Sequence, residues 1–378
     1  MNEPTKEAIK KEIIHVITTL DFGGAEKQLC LLAKIQAQRG LRVTVIFLKS
    51  EGSLQETLIG QGVSVESKFA NKNPFFQLLG LFCYLKKVEP YIIHAHLPRA
   101  ELICAIATFA QRRLVLVCSK HNSERFWPSG WRIISRLLSL FVQQSSSGII
   151  FISNSVKKFF MEEAKECKDS KNMDVIYYGY SRGALATAEP YLTRPKKGVS
   201  EKRIITVARL VPQKNLENLI LALSLGGSNL WCLDIFGSGK LETSLRNLIS
   251  SLGLEGRVRL MGKTTRIDKV MGNYDVFVLP SKYEGLGLAM LEAIDCEIPI
   301  AASSIGAFTE ILGNDYPYFF KYDETISISR TIQELVSHDK IDRRAFALAK
   351  LKKFDPNVME QRVMNFYNLC LSDTSRAG

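Results

Sequence analysis

Short apolar runs alternate along this chain with longer segments whose apolar residues recur every three or four positions. The runs read as buried strands and the periodic segments as amphipathic helices. Residues 13–18 predict a strand and 26–39 a helix stopped by Gly40. Further strands are expected at 42–48, 63–65, 91–95, 114–119, 148–152 and 173–177, with helices at 54–60, 74–87, 100–111, 131–142 and 156–165. Residues 179–203 break the rhythm: they are rich in small, polar and Pro residues, carry Lys196-Lys197, and read as an interdomain linker. The alternation then restarts. Strands are expected at 204–208, 231–236, 258–260, 276–280 and 298–302, and helices at 216–225, 241–252 and 266–271. A helix carrying Glu292 precedes the last of these strands, and helices at 326–337, 343–353 and 357–371 close the chain.

Strands alternating with helices over short connections make parallel sheets with right-handed crossovers. The fold class is therefore α/β, with two consecutive doubly wound, Rossmann-like domains facing a central cleft. Ligands in such sheets bind outside the carboxyl ends of the strands. The expected boundaries are 1–190, 191–355 and a final helix over 356–378.

Composition narrows the class only a little. The chain has 378 residues, 46% of them hydrophobic and 23% charged, as in ordinary globular proteins. Its eight Cys include no C-x-x-C pair and mostly lie in apolar runs, which predicts buried thiols in a reducing cytoplasm. Residues 1–11 are charged and hold no apolar signal-peptide core. The longest apolar stretches, such as 102–110, fall short of the ~18–20 residues of a membrane span. Net charge is +12, and residues 1–195 hold 26 Lys and Arg against 17 Asp and Glu. A basic first half suits an anionic partner surface, either nucleic acid or acidic lipid. No nucleic-acid reader motif is present, and the aromatics fall in core-like runs, so nucleic acid is not the expected partner. Residues 126–142 mix aromatics, Arg and an apolar face, and read either as a crossover helix or as a membrane-surface contact.

The chemistry-bearing residues cluster after predicted strands. Glu284 and Glu292 frame Gly285 and Gly287 where a strand ends and a helix begins, a natural anion site flanked by carboxylates. Gly23-Gly24 opens the first helix, lets a ligand approach the backbone, and lacks the G-x-G-x-x-G dinucleotide pattern. Arg209 and Lys214 follow the first strand of the second domain, where two cations suit a diphosphate. Phe236-Gly-Ser-Gly-Lys240 resembles a phosphate loop, but Asp234 and Leu241 stand where that motif needs Gly and a hydroxyl, so nucleotide hydrolysis by it is rejected. His94, His96 and His121 lie near strand ends without a convincing ligand set, and no Asp-x-Asp pair is present to hold a metal-bound diphosphate. Each His reads either as a cleft residue or as a structural hydrogen-bonding group.

These residues resemble the retaining glycosyltransferases of the GT-B fold, family 4, over nearly the whole chain. The resemblance rests on Gly23-Gly24-Ala25-Glu26, His94-Ala-His96, Val207-Ala-Arg209 with Lys214, Gly237-Ser-Gly239, and above all Glu284 and Glu292 with Pro299 and Gly306. It implies a nucleotide-sugar donor, UDP- or GDP-linked, and a cell-envelope glycan or lipid-linked acceptor. It implies retention by front-face attack, with no cofactor and no metal. Arg209 and Lys214 would bind the donor phosphates, Glu284 the transferred sugar, the amides of Leu286, Gly287 and Leu288 sugar and phosphate, and Glu292 the ribose. Gly23, Gly24, Gly237 and Lys263 would complete the donor site, His121 would lie near the donor sugar, and His96 and Arg99 would face the acceptor. The final helix would cross back to the first domain, and the enzyme would work in the cytoplasm, peripherally on the inner membrane face. Departures are Leu286 for a common Phe, Cys296-Glu297 for Cys-Gly, Gly306-Ala307 for Gly-Gly, and Tyr178 for a frequent Asn. A nucleotide-sugar epimerase of the same architecture is the alternative. Alanine at Glu284, Lys214 or Arg209 is expected to cut turnover with little loss of folding.

Overall fold

A computed structural model describes residues 12–109, 111, 113–123, 131–164, 172–181, 202–225, 231–264, 267–338 and 341–376. The predicted linker beyond residue 181, the start of the chain and the aromatic run 126–130 lie outside the described residues. The chain divides into two compact units, Met1–Gly179 with Asp355–Gly378, and Tyr180–Phe354.

In the first unit the elements run β1 (Glu12–Thr19), α1 (Gly24–Gln38), β2 (Arg42–Lys49), α2 (Gln55–Ile59), β3 (Ser64–Glu66), α3 (Pro74–Val88), β4 (Ile92–His96), α4 (Pro98–Phe109), β5 (Leu116–Lys120), α5 (Arg132–Ser145), β6 (Gly148–Phe151), α6 (Asn154–Ala164) and β7 (Asn172–Val175). The seven strands form one parallel sheet in the order β3-β2-β1-β4-β5-β6-β7. β1 reads as a near-continuous apolar run because both its faces are covered, leaving Ile13, Ile14, Val16 and Ile17 without exposure. Strand order reverses between β1 and β4, where Ile17 pairs with His96. Their carboxyl ends make the topological switch point.

The second unit holds β8 (Lys202–Val207), a 3-10 turn (Pro212–Lys214), α7 (Leu216–Leu225), β9 (Trp231–Phe236), α8 (Glu242–Ser251), β10 (Val258–Gly262), α9 (Ile267–Met271), β11 (Val276–Leu279), α10 (Leu288–Asp295), β12 (Ile300–Ser303), α11 (Gly306–Leu312), β13 (Phe319–Phe320), α12 (Thr325–His338) and α13 (Arg343–Leu351). Its six parallel strands are ordered β10-β9-β8-β11-β12-β13, so the switch point lies between β8 and β11. The short α11 and β13 go beyond the sequence expectation. α11 opens on Gly306 and spans seven residues, and β13 spans two, so neither is long enough to show a period.

The last helix, α14 (Pro356–Arg376), belongs to the first unit. Its Met359, Val363, Phe366, Tyr367 and Cys370 share a core with Ile13, Ile92, Val117 and Ile150 of the sheet. Burying such a side chain stabilises by about 1.5–3 kcal/mol, so this helix is part of the first unit's core rather than a tail. The fit is close: a Cβ added to Gly148 would meet Cys370 Sγ at 2.5 Å. The seven described Cys are free thiols, and Cys83 on α3 is exposed rather than buried. Among the described residues no helix is long and apolar enough to cross a membrane.

Candidate functional site

The second unit places its candidate residues on loops leaving neighbouring strands. After β8 the chain enters the turn that carries Lys214, and after β11 it forms the loop of Ser281 to Gly287. These loops meet at the switch point. Lys214 Nζ is paired with Glu284 Oε1, their side chains only 14% and 9% exposed. Ser281 Oγ donates to the same carboxylate oxygen at 2.8 Å. Gln213 joins the loops a second time: its amide donates to the Tyr283 carbonyl at 2.8 Å, and its own carbonyl accepts from Lys282 N at 2.9 Å. Arg209 is exposed at the rim and reaches the Gln213 side-chain oxygen at 3.4 Å. A cation and a carboxylate are thus held together, with a second cation beside them and open to solvent.

Two glycines shape the Arg209 loop. Gly237, after β9, sits at φ +143°, and a Cβ there would meet the Ala208 carbonyl oxygen at 1.9 Å. At Gly239 a Cβ would meet the Leu210 oxygen at 2.4 Å. The loops are stitched by Leu210 N to Ser238 O at 2.9 Å and Gly237 N to Gly262 O at 2.8 Å, which brings in the β10 end and exposed Lys263. Gly237→Ala is expected to push residues 208–210 away and to cost about 1–3 kcal/mol from backbone strain alone. Thermal melts and nucleotide titrations check this; an alanine variant melting and binding like the parent would contradict it.

The helix behind the Glu284 loop is α10. Gly287 caps it at φ +99°, where a Cβ would meet the Phe308 ring at 2.8 Å. Leu286 is buried and Leu288 half-buried beside the free amides of this helix start. Glu292 lies in the next turn. Tyr180 OH donates to Asp295 at 3.1 Å, and burial, then the Asp295 and Glu292 charges, push its phenol well above the usual range. Glu284 and Glu292 therefore stand in different settings, one locked to Lys214 and one beside Tyr180.

The first unit gathers its histidines along β1 and β4 and just beyond β5, with His15 and His94 paired mid-strand and His96 and His121 at the carboxyl ends. A chain of hydrogen bonds runs from Tyr178 OH to His121 Nδ1 at 2.5 Å, from His121 Nε2 to His96 Nδ1 at 3.0 Å, from His96 Nε2 to His15 Nδ1 at 3.1 Å, and from His15 Nε2 to Gln36 Oε1 at 2.8 Å. The Gln36 amide nitrogen points at Met364 sulfur, 3.9 Å away, so its oxygen must accept from His15. With the Gln36 amide in this orientation, each neutral ring carries its hydrogen on Nε2, and Tyr178 donates into the last Nδ1. Burial holds the rings neutral, lowering His15 to about 4 and His121 to about 3, the latter helped by neighbouring Lys120. His96 is lowered by burial and then by the other rings. Both nitrogens of His121 are thus committed, and the ring has no lone pair to offer a substrate. His94 stands aside, bonded to Tyr367 OH at 2.6 Å and Ser119 Oγ at 2.7 Å.

Gly23 caps α1 beside this cluster, and a Cβ there would meet the Glu26 carboxylate, Oε2 at 2.2 Å, so a side chain would have to displace that carboxylate. Gly24 is exposed, and Glu26 is held by Thr19 Oγ1 at 2.6 Å. Arg99 donates to the buried Gln77 side-chain oxygen at 2.9 Å. His15, His94 and His96 bring ring nitrogens within 4.8 Å of one another, a grouping that the residue spacing did not reveal because His15 lies on a separate strand. Each of these nitrogens is already hydrogen-bonded, so a metal ion there would have to displace that network. Sequence reasoning also passed over Ser281, Gln213, Gln36 and Tyr180, whose partners are 3 to 115 residues away.

This geometry belongs to a known class. The model of Glycosyltransferase Family 4 matches residues 22–181, and that of Glycosyl transferases group 1 matches residues 192–351. The chain belongs to the group 1 glycosyltransferases. It is 27% identical over 263 residues to the UDP-Gal:alpha-D-GlcNAc-diphosphoundecaprenol alpha-1,3-galactosyltransferase of Escherichia coli, covering 64% of this chain and 65% of that one. It is 21% identical to the capsular polysaccharide biosynthesis glycosyltransferase CapM of Staphylococcus aureus, covering 96% and 98% of the two. It spans only 37% of the poly(ribitol-phosphate) alpha-N-acetylglucosaminyltransferase of Staphylococcus aureus. The crystal structure of Anabaena HepE with UDP superposes at a TM-score of 0.75 and 21% identity, over 94% of this chain and 98% of that one. With the two parallel-sheet units, that likeness fits the GT-B fold.

Proposed function

We propose that this protein moves a hexose from a nucleotide-sugar, UDP- or GDP-linked, to a cell-envelope glycan or lipid-linked acceptor, retaining the anomeric configuration and using no metal ion. The observation that carries the reading is the Lys214–Glu284 pair at the β8/β11 switch point. The cation suits a diphosphate and the carboxylate suits sugar hydroxyls. Two relatives support the ligand class: the name of the Escherichia coli enzyme specifies UDP-Gal and a diphosphoundecaprenol-linked acceptor, and HepE is solved with UDP-glucose.

In this reading Arg209 and Lys214 neutralise the leaving diphosphate, with Gly237 and Lys263 completing its cradle. Glu284 and the amides of Leu286, Gly287 and Leu288 hold the transferred sugar, and Glu292 holds the ribose. Gly23 and Gly24 allow close approach to the donor, and Arg99 lies on the acceptor side; His96, expected there from the sequence, is buried with both ring nitrogens bonded to other histidines and acts only through that chain. The acceptor oxygen bonds to the anomeric carbon as the bond to the phosphate oxygen breaks, and the acceptor proton passes to the departing diphosphate. The protein's part is positioning and charge stabilisation. His121 contributes by position, since its nitrogens are bonded within the protein. A lipid-linked acceptor would be met on the inner face of the cytoplasmic membrane.

A ligand that binds only the native state raises its melting point. A panel of nucleotide sugars in EDTA is expected to yield one that stabilises the protein and, with acceptor, gives a product of the donor's anomeric configuration. Absence of stabilisation across the panel, or donor alone converted to a sugar of changed stereochemistry, would overturn the reading; the second result belongs to an epimerase.

A further inference from the structure

Two helices of the first unit carry large apolar side chains on their outer faces. Along α5 the buried positions are Ser135, Ser139 and Gln143, with Val142, while Ile133 and Leu137 are 77% and 59% exposed. Residues 135, 139 and 143 follow the spacing of one helix face, so the polar stripe faces inward and the apolar stripe faces out. α3 differs in that its inward face is mostly apolar, Gln77 with Leu81 and Leu85, yet it too leaves Phe75, Phe76 and Leu79 facing outward. The buried Gln77 is fully used, donating to the Leu48 and Phe69 carbonyls and accepting from Arg99. A one-step rotation to hide the phenylalanines would break all three bonds. α4 lies between, with Phe109 exposed and its ring 6.1 Å from Phe141 of α5. An open groove of about 220 Å³ joins α3 to α4 at Phe75, Leu79 and Ile106. Three adjacent helices thus share one outward apolar face.

We propose that this α3–α4–α5 face docks on a lipid bilayer carrying anionic headgroups. Charge selects that occupant. Lys86, Lys87 and Arg113 are exposed at the α3–α4 end of the face against a single exposed carboxylate among the described residues there, Glu89, and Arg132 is exposed at the start of α5 beside exposed Trp131. Glu101 points inward and is paired with Lys120. Aromatic and aliphatic side chains flanked by Lys and Arg are what a helix lying in the headgroup plane presents. A second copy of this chain would set one basic rim against another, which disfavours a dimer through this face. The inference rests on the lipid-linked branch of the proposed function, since a bilayer is where such an acceptor is held.

The test uses the full chain and vesicles without donor or acceptor. The protein is expected to co-sediment with vesicles of 3:1 phosphatidylcholine and phosphatidylglycerol, more weakly as salt rises, and far less with phosphatidylcholine alone. Ile133→Asp with Leu137→Asp, and separately Phe75→Asp with Phe76→Asp, are each expected to lower the bound fraction at least tenfold, with the melting point and nucleotide-sugar shift retained. These positions are solvent-exposed, so folding is not at stake. Failure of the parent to bind, or equal binding by both double variants, overturns the proposal. So does a concentration-dependent dimer that the same substitutions abolish. A protein that binds vesicles but no nucleotide sugar overturns the enzymatic reading alone; one that binds nucleotide sugar but no vesicles overturns this proposal alone.

Discussion

Lys214→Ala is expected to lower turnover by about 10²–10³-fold, the loss seen when one preorganised charge-stabilising donor is removed from an active site. It is also expected to destabilise the second unit, which the sequence alone did not suggest. Lys214 and Glu284 are paired with little exposure, so either alanine leaves a nearly buried charge without its partner. Breaking such a pair costs about 3–5 kcal/mol. Arg209 is exposed at the rim, and Arg209→Ala is expected to cut turnover with an unchanged melt. Lys214→Met with Glu284→Leu separates the two effects, because replacing both partners by apolar groups removes the unpaired charge. That double variant is expected to regain most of the stability and none of the activity. If it regains activity, or if Lys214→Ala turns over at the parent rate, the assignment of this pair to the donor site fails.

The second large effect is acid sensitivity of the first unit. His15 has no solvent exposure, and burial lowers it from 6.5 to about 4; His121 falls to about 3. Between these values and 6.5 the unfolded chain binds protons that the folded chain refuses, so stability rises with pH across that window. It is complete above pH 6.5 and is lost as pH falls towards 4 and then 3. At pH 5 each of these two rings costs about 2 kcal/mol, at 1.36 kcal/mol per pH unit. Together that is about 4 kcal/mol, a drop on the order of 10 °C in the melting point of a unit this size. Melting curves from pH 7 to pH 5 measure it. His15→Gln preserves a donor for Gln36 and an acceptor for His96 but cannot titrate, so part of the slope is expected to disappear while His94, His96 and His121, which burial also lowers, keep the rest. A melting point that is flat from pH 7 to pH 5 would show that the histidine chain is not buried as described.

Much of this was legible in the sequence. The strands were readable because both faces of a parallel sheet are covered, so β6 and β11 appear as plain apolar runs and β1 as a nearly continuous one. Arg209, Lys214 and Glu284 were legible because a loop after a strand is where α/β folds keep charge. What they do to each other was not. The Lys214–Glu284 pair joins residues 70 apart, and the Tyr178–His121–His96–His15–Gln36 chain draws on β1, β4, β5, α1 and the segment after β7. α5 misled in a different way. Its strong amphipathic pattern is real, but periodicity reports only that a helix has two faces and not which of them turns inward.

The sequence by itself determined the class: two α/β halves, parallel sheets, glycines at turns that open helices, and charged residues on the loops that follow strands. These are local properties, set by side-chain period and by which residue a turn permits. The tertiary structure decided the rest. It made a buried ion pair of Lys214 and Glu284, tied the His121 nitrogens to partners within the protein, brought α14 into the first unit's core, and turned the apolar stripe of α5 and the Phe75, Phe76 and Leu79 side chains of α3 outward. Each depends on partners distant in the chain, and only packing specifies which groups share a hydrogen bond or lose their water.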